Sequence, residues 1–511
     1  MSTGIQKESV SLTVRATWMM LAKTLAFIFS FALPLLLVRR LDQAEFGLYK
    51  QVFLIVGSAV LIFPFGFHMS AYYYLPREQE RKGQIVFNIL LFYVLIIGAV
   101  CLAILLYPSM LEAILGSREL TEYAPLISLI VFTWGCSSFL ETVAVANQEI
   151  RLATIFIVTA NSTKTLFLVG AVVIFGSFRM LLYAAILQGV LQLVVLLSYL
   201  RVRFGRFWRE FDWQLLCAQL SYALPLGVSA TILRFQIDLD SFFVSKQLGA
   251  AALAVYAIGC LNIPLFFLIS DAVGSVMIPR VSYLEKTGAK REIVELLARM
   301  VRKLSAIALP VYALLLVVGP EFITVLFTTQ YSASWPIFAI NTAQIPLSVI
   351  TSAYDPVLRA YPEQRYFLLR VRMFLLALLA VMLWQGTRRY GMMGAISMVV
   401  LISAAERVII SIRVGRLLGL RSRDWLLLKD VAKMLVVVAL ASCVAVLVRL
   451  SMGQLPALAV LCVCGAVFSF CYALGLLLLG VITPEERTFI YQSAALMRRR
   501  IFGAPRQDFV A

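Results

Sequence analysis

Apolar runs of about 20 residues, most of them free of charge, follow one another along almost the whole chain and leave no room for a soluble domain between them. An α-helix rising about 1.5 Å per residue needs about 20 residues to cross a hydrocarbon core about 30 Å thick. Fourteen runs meet that length: 16–38, 49–68, 85–107, 123–146, 154–176, 181–200, 221–245, 250–272, 304–327, 336–354, 367–386, 391–412, 431–448 and 457–480. Their signal is continuous and does not alternate with a period of two, which excludes a β-barrel. Composition agrees: 61% hydrophobic residues, 14% charged residues and a mean hydropathy of +0.91 supply too little polar side chain to coat a globule of 511 residues in water. The predicted class is an all-α polytopic membrane protein with 14 transmembrane helices.

Lysine and arginine set the orientation. With the N-terminus in the cytoplasm, the segments on that side hold 32 of the 45 basic residues, among them Arg77, Arg81, Lys82, Lys290, Arg291 and Arg498. The opposite side holds nine, including Arg39, Arg40 and Lys50, and four lie inside the runs. This imbalance predicts cytoplasmic termini. It also accounts for the net charge of +18 through loop orientation and anionic lipid headgroups. No basic patch is joined to a nucleic-acid-binding module, so nucleic acid is not an expected partner.

Several chemistries are excluded. All eight cysteines lie in or near apolar runs, and Cys462 and Cys464 point to nearly opposite sides of a helix. A single histidine, His68, supports neither a zinc site nor a histidine-based triad; it is expected as a packed or interfacial residue at the inner end of the second run. There is no G-x-x-x-x-G-K-[ST] stretch to hold a nucleotide. No metal, cofactor or catalytic residue is predicted. The first run is too long for a signal peptide, lacks a small-residue cleavage site, and reads as a retained helix.

The chain repeats itself. At a constant offset of 207 residues, Leu41 matches Leu248, Ala44 matches Ala251 and Tyr49 matches Tyr256, with Phe46 over Leu253 and Leu48 over Val255. Further on, Tyr74 matches Tyr283 and Leu75 matches Leu284. Six helices separate the copies, an even number, so the halves share one orientation and form a parallel repeat. The expected organisation is a six-helix bundle at 1–212, a second at 213–430, and two extra helices with a basic cytoplasmic tail at 431–511. Two like-oriented bundles around a central cavity can rock to expose it to each face in turn, which is alternating access.

The stretches LVRRLDQAEFGLYKQVFLI (37–55) and IDLDSFFVSKQLGAAALAVYAIGCLNIPLFF (237–267) resemble the polysaccharide transporter and O-antigen flippase group of the multidrug/oligosaccharidyl-lipid/polysaccharide (MOP) exporter superfamily. The resemblance spans at least the first twelve helices, with Ala254 where the second copy often carries glycine. It implies a bacterial inner-membrane flippase, not an enzyme. Its cargo would be an undecaprenyl-pyrophosphate-linked oligosaccharide for O-antigen, capsule or exopolysaccharide synthesis. Membrane lipids, a polysaccharide polymerase and a chain-length regulator are the implied partners. A cation-coupled multidrug exporter of the same superfamily is the alternative, and short outer connections disfavour a membrane polymerase or ligase.

Such a cargo needs a wet, cationic path, and an ionisable side chain at membrane depth costs about 2.5–3.5 kcal/mol unless it faces a cavity or a partner. Lys23, Lys164 and Arg234 lie seven, ten and thirteen residues into their runs and are predicted to line the cavity and hold pyrophosphate. Other readings stay open. Arg234 and Asp238 stand i,i+4 and can neutralise each other, Lys164 can pair with Glu141, and Arg407 can reach the inner interface. Asp238, Asp240 and Asp271 are candidates for carrying a coupling proton or sodium ion. Arg39 and Arg40, against the charge bias, either attract an emerging pyrophosphate or pair with Asp42 and Glu45 to pin the turn into the second helix. Gln188, Gln192, Asn341, Thr342 and Gln344 are candidates for a sugar-facing wall or for helix–helix contacts.

Overall fold

The structure, a computed structural model, describes residues 2–209, 211–261, 273, 277–453 and 455–481, with side chains from Trp18 onward at most of these positions. Local chemistry sets the helix ends. Helix α1 (Ser2–Leu37) runs into a turn, after which Asp42 caps α2 (Gln43–Ile62) by accepting the Glu45 amide at 2.7 Å, satisfying a donor that the first turn leaves orphaned. The apolar run begins at 49, so the cap adds 43–48 to the helix. Then come α3 (Lys82–Leu106), α4 (Ala124–Ser137), α5 (Leu140–Ala146), α6 (Ile150–Phe175) and α7 (Phe178–Phe204). Asp212 caps α8 (Trp213–Leu248) through the Leu215 amide at 3.0 Å and pairs with Arg81 at 2.8 Å. The remaining elements are α9 (Ala250–Gly259), α10 (Lys290–Phe327), α11 (Trp335–Asn341), α12 (Gln344–Ala360), α13 (Arg365–Leu418), α14 (Lys429–Ser451) and α15 (Ala457–Leu478). Among the described residues there is no strand.

Ten helices among the described residues are long and apolar enough to cross a membrane. The difference from fourteen runs is local. Helix α13, 54 residues long, holds the eleventh and twelfth runs, and Gly391 breaks it between them with φ 59° and ψ −143°, a conformation open to glycine. Helix α8 carries Arg234, Asp238 and Asp240 inside the seventh run and is not among the ten. The tenth run is divided between α11 and α12, and the eighth continues from α9 into 262–272, outside the described residues.

The chain divides into two compact units. The first comprises 1–261, 326–337 and 376–399. In it α1 lies on α6, α4 packs between α3 and α7, and α2 packs on α4, α8 and α9. Its core joins Ile85, Ile89 and Tyr93 of α3 to Phe139, Val143 and Leu196. The two repeat copies are direct neighbours at the α2–α9 crossing, where a Cβ on Gly47 would stand 2.0 Å from the Ala250 carbonyl oxygen. Lipid tails are as apolar as leucine, so such close backbone approach, more than hydrophobic burial, holds membrane helices together.

The second unit comprises 262–325, 338–375 and 400–511. Ala313 and Val317 of α10, Val437 and Ala441 of α14, and Cys464 and Phe468 of α15 form its core. Leu447, Leu450 and Leu478 are 68%, 74% and 76% exposed, as expected of side chains facing hydrocarbon.

Candidate functional site

Helix α6 presents Lys164 fourteen residues from its start, about 21 Å along its axis. Thr165 fixes that level against α1 by donating to the Phe29 carbonyl at 3.2 Å, and Ser30 donates to Asn161 at 3.2 Å. The Lys164 ammonium lies 4.4 Å from the Trp134 ring centre and 5.8 Å from that of Phe53. Trp134 is itself held by Nε1 donating to the Ala185 carbonyl at 3.0 Å.

The same aromatic row leads to a second lysine. Phe53 stands 5.2 Å from Trp134 and 4.8 Å from Tyr49, and Tyr49 stands 5.6 Å from Phe46. The Lys50 ammonium lies 5.3 Å from the Phe46 ring and 5.8 Å from the Tyr49 ring. Its neighbour Gln51, fully buried, sets the rotation of α2 by donating to Ser117 Oγ and Ser245 Oγ, both at 2.8 Å. Among the described residues neither ammonium makes a hydrogen bond or an ion pair, and Glu141 does not pair with Lys164. Both lysines are thus set against aromatic rings on helices long and apolar enough to cross a membrane. Lys50 is the residue that the apolar pattern leaves out. Its signal is Asp42 followed three residues later by Glu45, a helix-start signature that moves Lys50 from the mouth of α2 to its eighth position.

Lys23 is exposed on α1, six residues and about 9 Å along the axis from Phe29, so the α1–α6 pair carries both Lys23 and Lys164. Arg234 is engaged by its own helix: Nη2 donates to Asp238 Oδ1 at 3.1 Å and Nε lies 2.9 Å from Oδ2. Asp240 is buried and accepts from the Tyr256 hydroxyl at 2.6 Å and the Ser241 amide at 2.7 Å. Asp271 lies outside the described residues. Arg39 and Arg40 are exposed in the α1–α2 turn, where Asp42 Oδ1 accepts the Glu45 amide.

Other polar residues make hydrogen bonds within and between helices. His68 Nδ1 lies 2.7 Å from the Tyr93 hydroxyl, Gln188 donates to the Ala160 carbonyl at 3.5 Å, and Thr342 donates to Ala339 at 2.8 Å. In the second unit Gln344 donates to Ser403 at 3.5 Å, Arg372 meets Glu406 at 3.0 Å, and Arg407 donates to the Leu347 and Ser403 carbonyls at 3.1 and 2.7 Å.

The structure is similar to that of the lipid II flippase MurJ in an inward closed conformation, with a TM-score of 0.67 and 13% identity over 89% of this chain and 97% of that one. It is similar to an inward-facing multidrug resistance MATE family transporter of the MOP superfamily, with a TM-score of 0.61 and 14% identity over 79% and 96% of the two chains. A MOP superfamily transporter from Pyrococcus furiosus aligns with a TM-score of 0.54 and 14% identity over 80% and 95%. At these identities the likeness is one of fold. No curated protein matches the sequence significantly. The profile of the polysaccharide biosynthesis protein family matches residues 36–336, which include Lys50, Lys164 and Arg234. This multi-pass membrane protein with a MOP-type fold therefore belongs to the polysaccharide biosynthesis protein family.

Proposed function

We propose that the chain is a flippase that moves a polyprenyl-pyrophosphate-linked oligosaccharide across the bacterial cytoplasmic membrane, for O-antigen, capsule or exopolysaccharide synthesis. The observation that carries this reading is the pair Lys50 and Lys164 on membrane helices of the first unit, neither with an acid partner among the described residues. At 4 Å and an effective dielectric of 20, each ammonium–phosphate contact is worth about 4 kcal/mol before desolvation. A pyrophosphate offers charge to both lysines at once, and Lys23 on α1 extends the basic track. In this reading fourteen helices form two like-oriented six-helix halves plus two further helices, with both termini cytoplasmic. The halves alternate in access, so that the lysines meet first one leaflet and then the other. Asp240, or Asp238 when released by Arg234, carries the coupling ion.

A cation-coupled multidrug exporter is the second reading, favoured by the buried Asp240 carboxylate on Tyr256. The readings differ in the charge of the cargo, since Lys50 and Lys164 repel a cationic drug. The test is to replace Lys50 and Lys164 by alanine, singly and together, and to measure surface polysaccharide and its lipid-linked precursor at matched protein levels. The double variant is expected to lose at least about tenfold in surface polysaccharide, equivalent to 1.4 kcal/mol of lost stabilisation, while precursor accumulates. Normal polysaccharide in the double variant sinks the reading.

A further inference from the structure

Helix α8 runs beside α2, with Ser245 bonded to Gln51 next to Lys50 and Thr231 donating to the Ile62 carbonyl at 3.5 Å. Followed toward its start, α8 reaches Tyr222, 23 residues from Ser245 and about 34 Å away along the axis. That end carries a second aromatic–cationic cluster, roughly one hydrocarbon thickness from the lysine pair. The Tyr73 and Tyr222 rings lie 4.5 Å apart at 31°, Tyr74 stands 5.0 Å from Tyr73, and the Arg77 guanidinium lies 3.7 Å over the Tyr73 ring. Arg77 is exposed and the three tyrosines are partly buried. Among the described residues none of the three phenol oxygens and no nitrogen of the Arg77 guanidinium makes a hydrogen bond or an ion pair.

A belt of interfacial tyrosines is spread around the circumference of a membrane protein, each ring at headgroup level. Here three rings from two segments are gathered, Tyr73 and Tyr222 inclined face toward face and Tyr74 edge-on to both. Their ring surfaces are apolar, and around them lie hydroxyls and one planar fork of donors. A pyranose has the matching form: one face of C–H bonds and an edge of paired hydroxyls. We propose that Tyr73, Tyr222 and Arg77 form a saccharide subsite that takes a sugar ring of the lipid-linked headgroup before translocation, at the end of α2 that the charge bias assigns to the cytoplasm. Tyr74 supports the stack. This rests on the flippase reading and adds to it a place where the sugar, not the pyrophosphate, is recognised.

The test uses the full chain in lipid nanodiscs with two probes, undecaprenyl pyrophosphate and the same lipid bearing one N-acetylglucosamine. Wild type is expected to bind the sugar-bearing lipid about tenfold more tightly, the scale of one aromatic contact with its hydrogen bonds. Tyr222→Leu and Arg77→Gln are expected to remove that preference and leave affinity for the bare lipid unchanged. Tyr73→Phe with Tyr222→Phe, which keeps the rings, is expected to retain part of the preference and guards against misfolding of the leucine variant. Equal binding of both lipids by wild type, or a full preference in Tyr222→Leu, overturns the subsite and leaves the lysine pair standing. A wild type that binds neither lipid overturns the flippase reading and the subsite together.

Discussion

The Lys164 ammonium lies 4.4 Å from the centre of the Trp134 ring, and that ring lies 5.2 Å from Phe53 of α2, tilted 49° to it. A cation over an aromatic face gains about 0.5–2 kcal/mol, less than the 2.5–3.5 kcal/mol that a lysine costs at the centre of a membrane helix. Trp134 therefore positions Lys164 without neutralising it. Trp134→Phe keeps a weaker face and Trp134→Leu keeps none. Surface polysaccharide is expected to fall several-fold in the leucine variant and less in the phenylalanine variant, at unchanged protein level. Equal output from the two variants shows that the face is immaterial.

Arg234 and Asp238 form a closed pair on one helix, so a single alanine at either position leaves a charge stranded. The pair is part-buried, with side chains 41% and 15% exposed; losing one partner leaves the other charge unpaired, whereas removing both is often nearly neutral. Thermal unfolding of the detergent-solubilised protein is expected to fall for Arg234→Ala and to recover in Arg234→Ala with Asp238→Ala. Transport in the double variant separates two roles: recovery marks a structural pair, and continued loss marks Arg234 as a contact of the cargo.

Asp240 accepts 2.6 Å and 2.7 Å hydrogen bonds from Tyr256 and Ser241 inside the first unit. Tyr256→Phe removes the stronger donor from a buried carboxylate and is expected to cost about 1–3 kcal/mol, seen as a lower unfolding midpoint. Asp240→Asn keeps one acceptor oxygen for the Ser241 amide and turns its NH2 toward the Tyr256 hydroxyl, which can accept from it, and is expected to leave that midpoint within a few degrees. If Asp240 carries the coupling proton, the asparagine variant folds but no longer responds to a pH gradient in proteoliposomes. Retained gradient dependence removes Asp240 from that role.

What could be read from the sequence follows from which forces are local. Apolar runs mark the helix bodies because the bilayer demands length and hydrocarbon side chains, and Lys164 stands out as a charge within such a run. Lys50, the second residue of its run, reads as a flanking charge, because its helix begins earlier, in the polar stretch QAEFGL, where the determining element is the Asp42 cap. The partner of Lys164 lies on another helix 30 residues earlier, at Trp134, and nothing in either run announces the contact. The repeat was legible as similarity between Tyr49 and Tyr256, yet the packing of one copy on the other is a tertiary fact. Likewise a glycine at 391 signals a break only once its positive φ is seen.

Gly47 tests that packing directly. A Cβ there would meet the Ala250 carbonyl oxygen at 2.0 Å and its carbon at 2.3 Å, atoms of a helix backbone that cannot swing aside as a side chain can. Gly47→Ala is therefore expected to force α2 and α9 apart and to cost about 1–3 kcal/mol, typical of overpacking. Gly57, ten residues further along α2, has nothing within 4 Å of a Cβ. Gly57→Ala gains helix propensity of up to about 1 kcal/mol and is expected to hold or raise the unfolding midpoint. Because the obstruction at Gly47 is a carbonyl and not the Ala250 methyl, Ala250→Gly is expected not to rescue Gly47→Ala. Rescue by that second substitution, or equal midpoints for the two alanine variants, contradicts the close α2–α9 crossing.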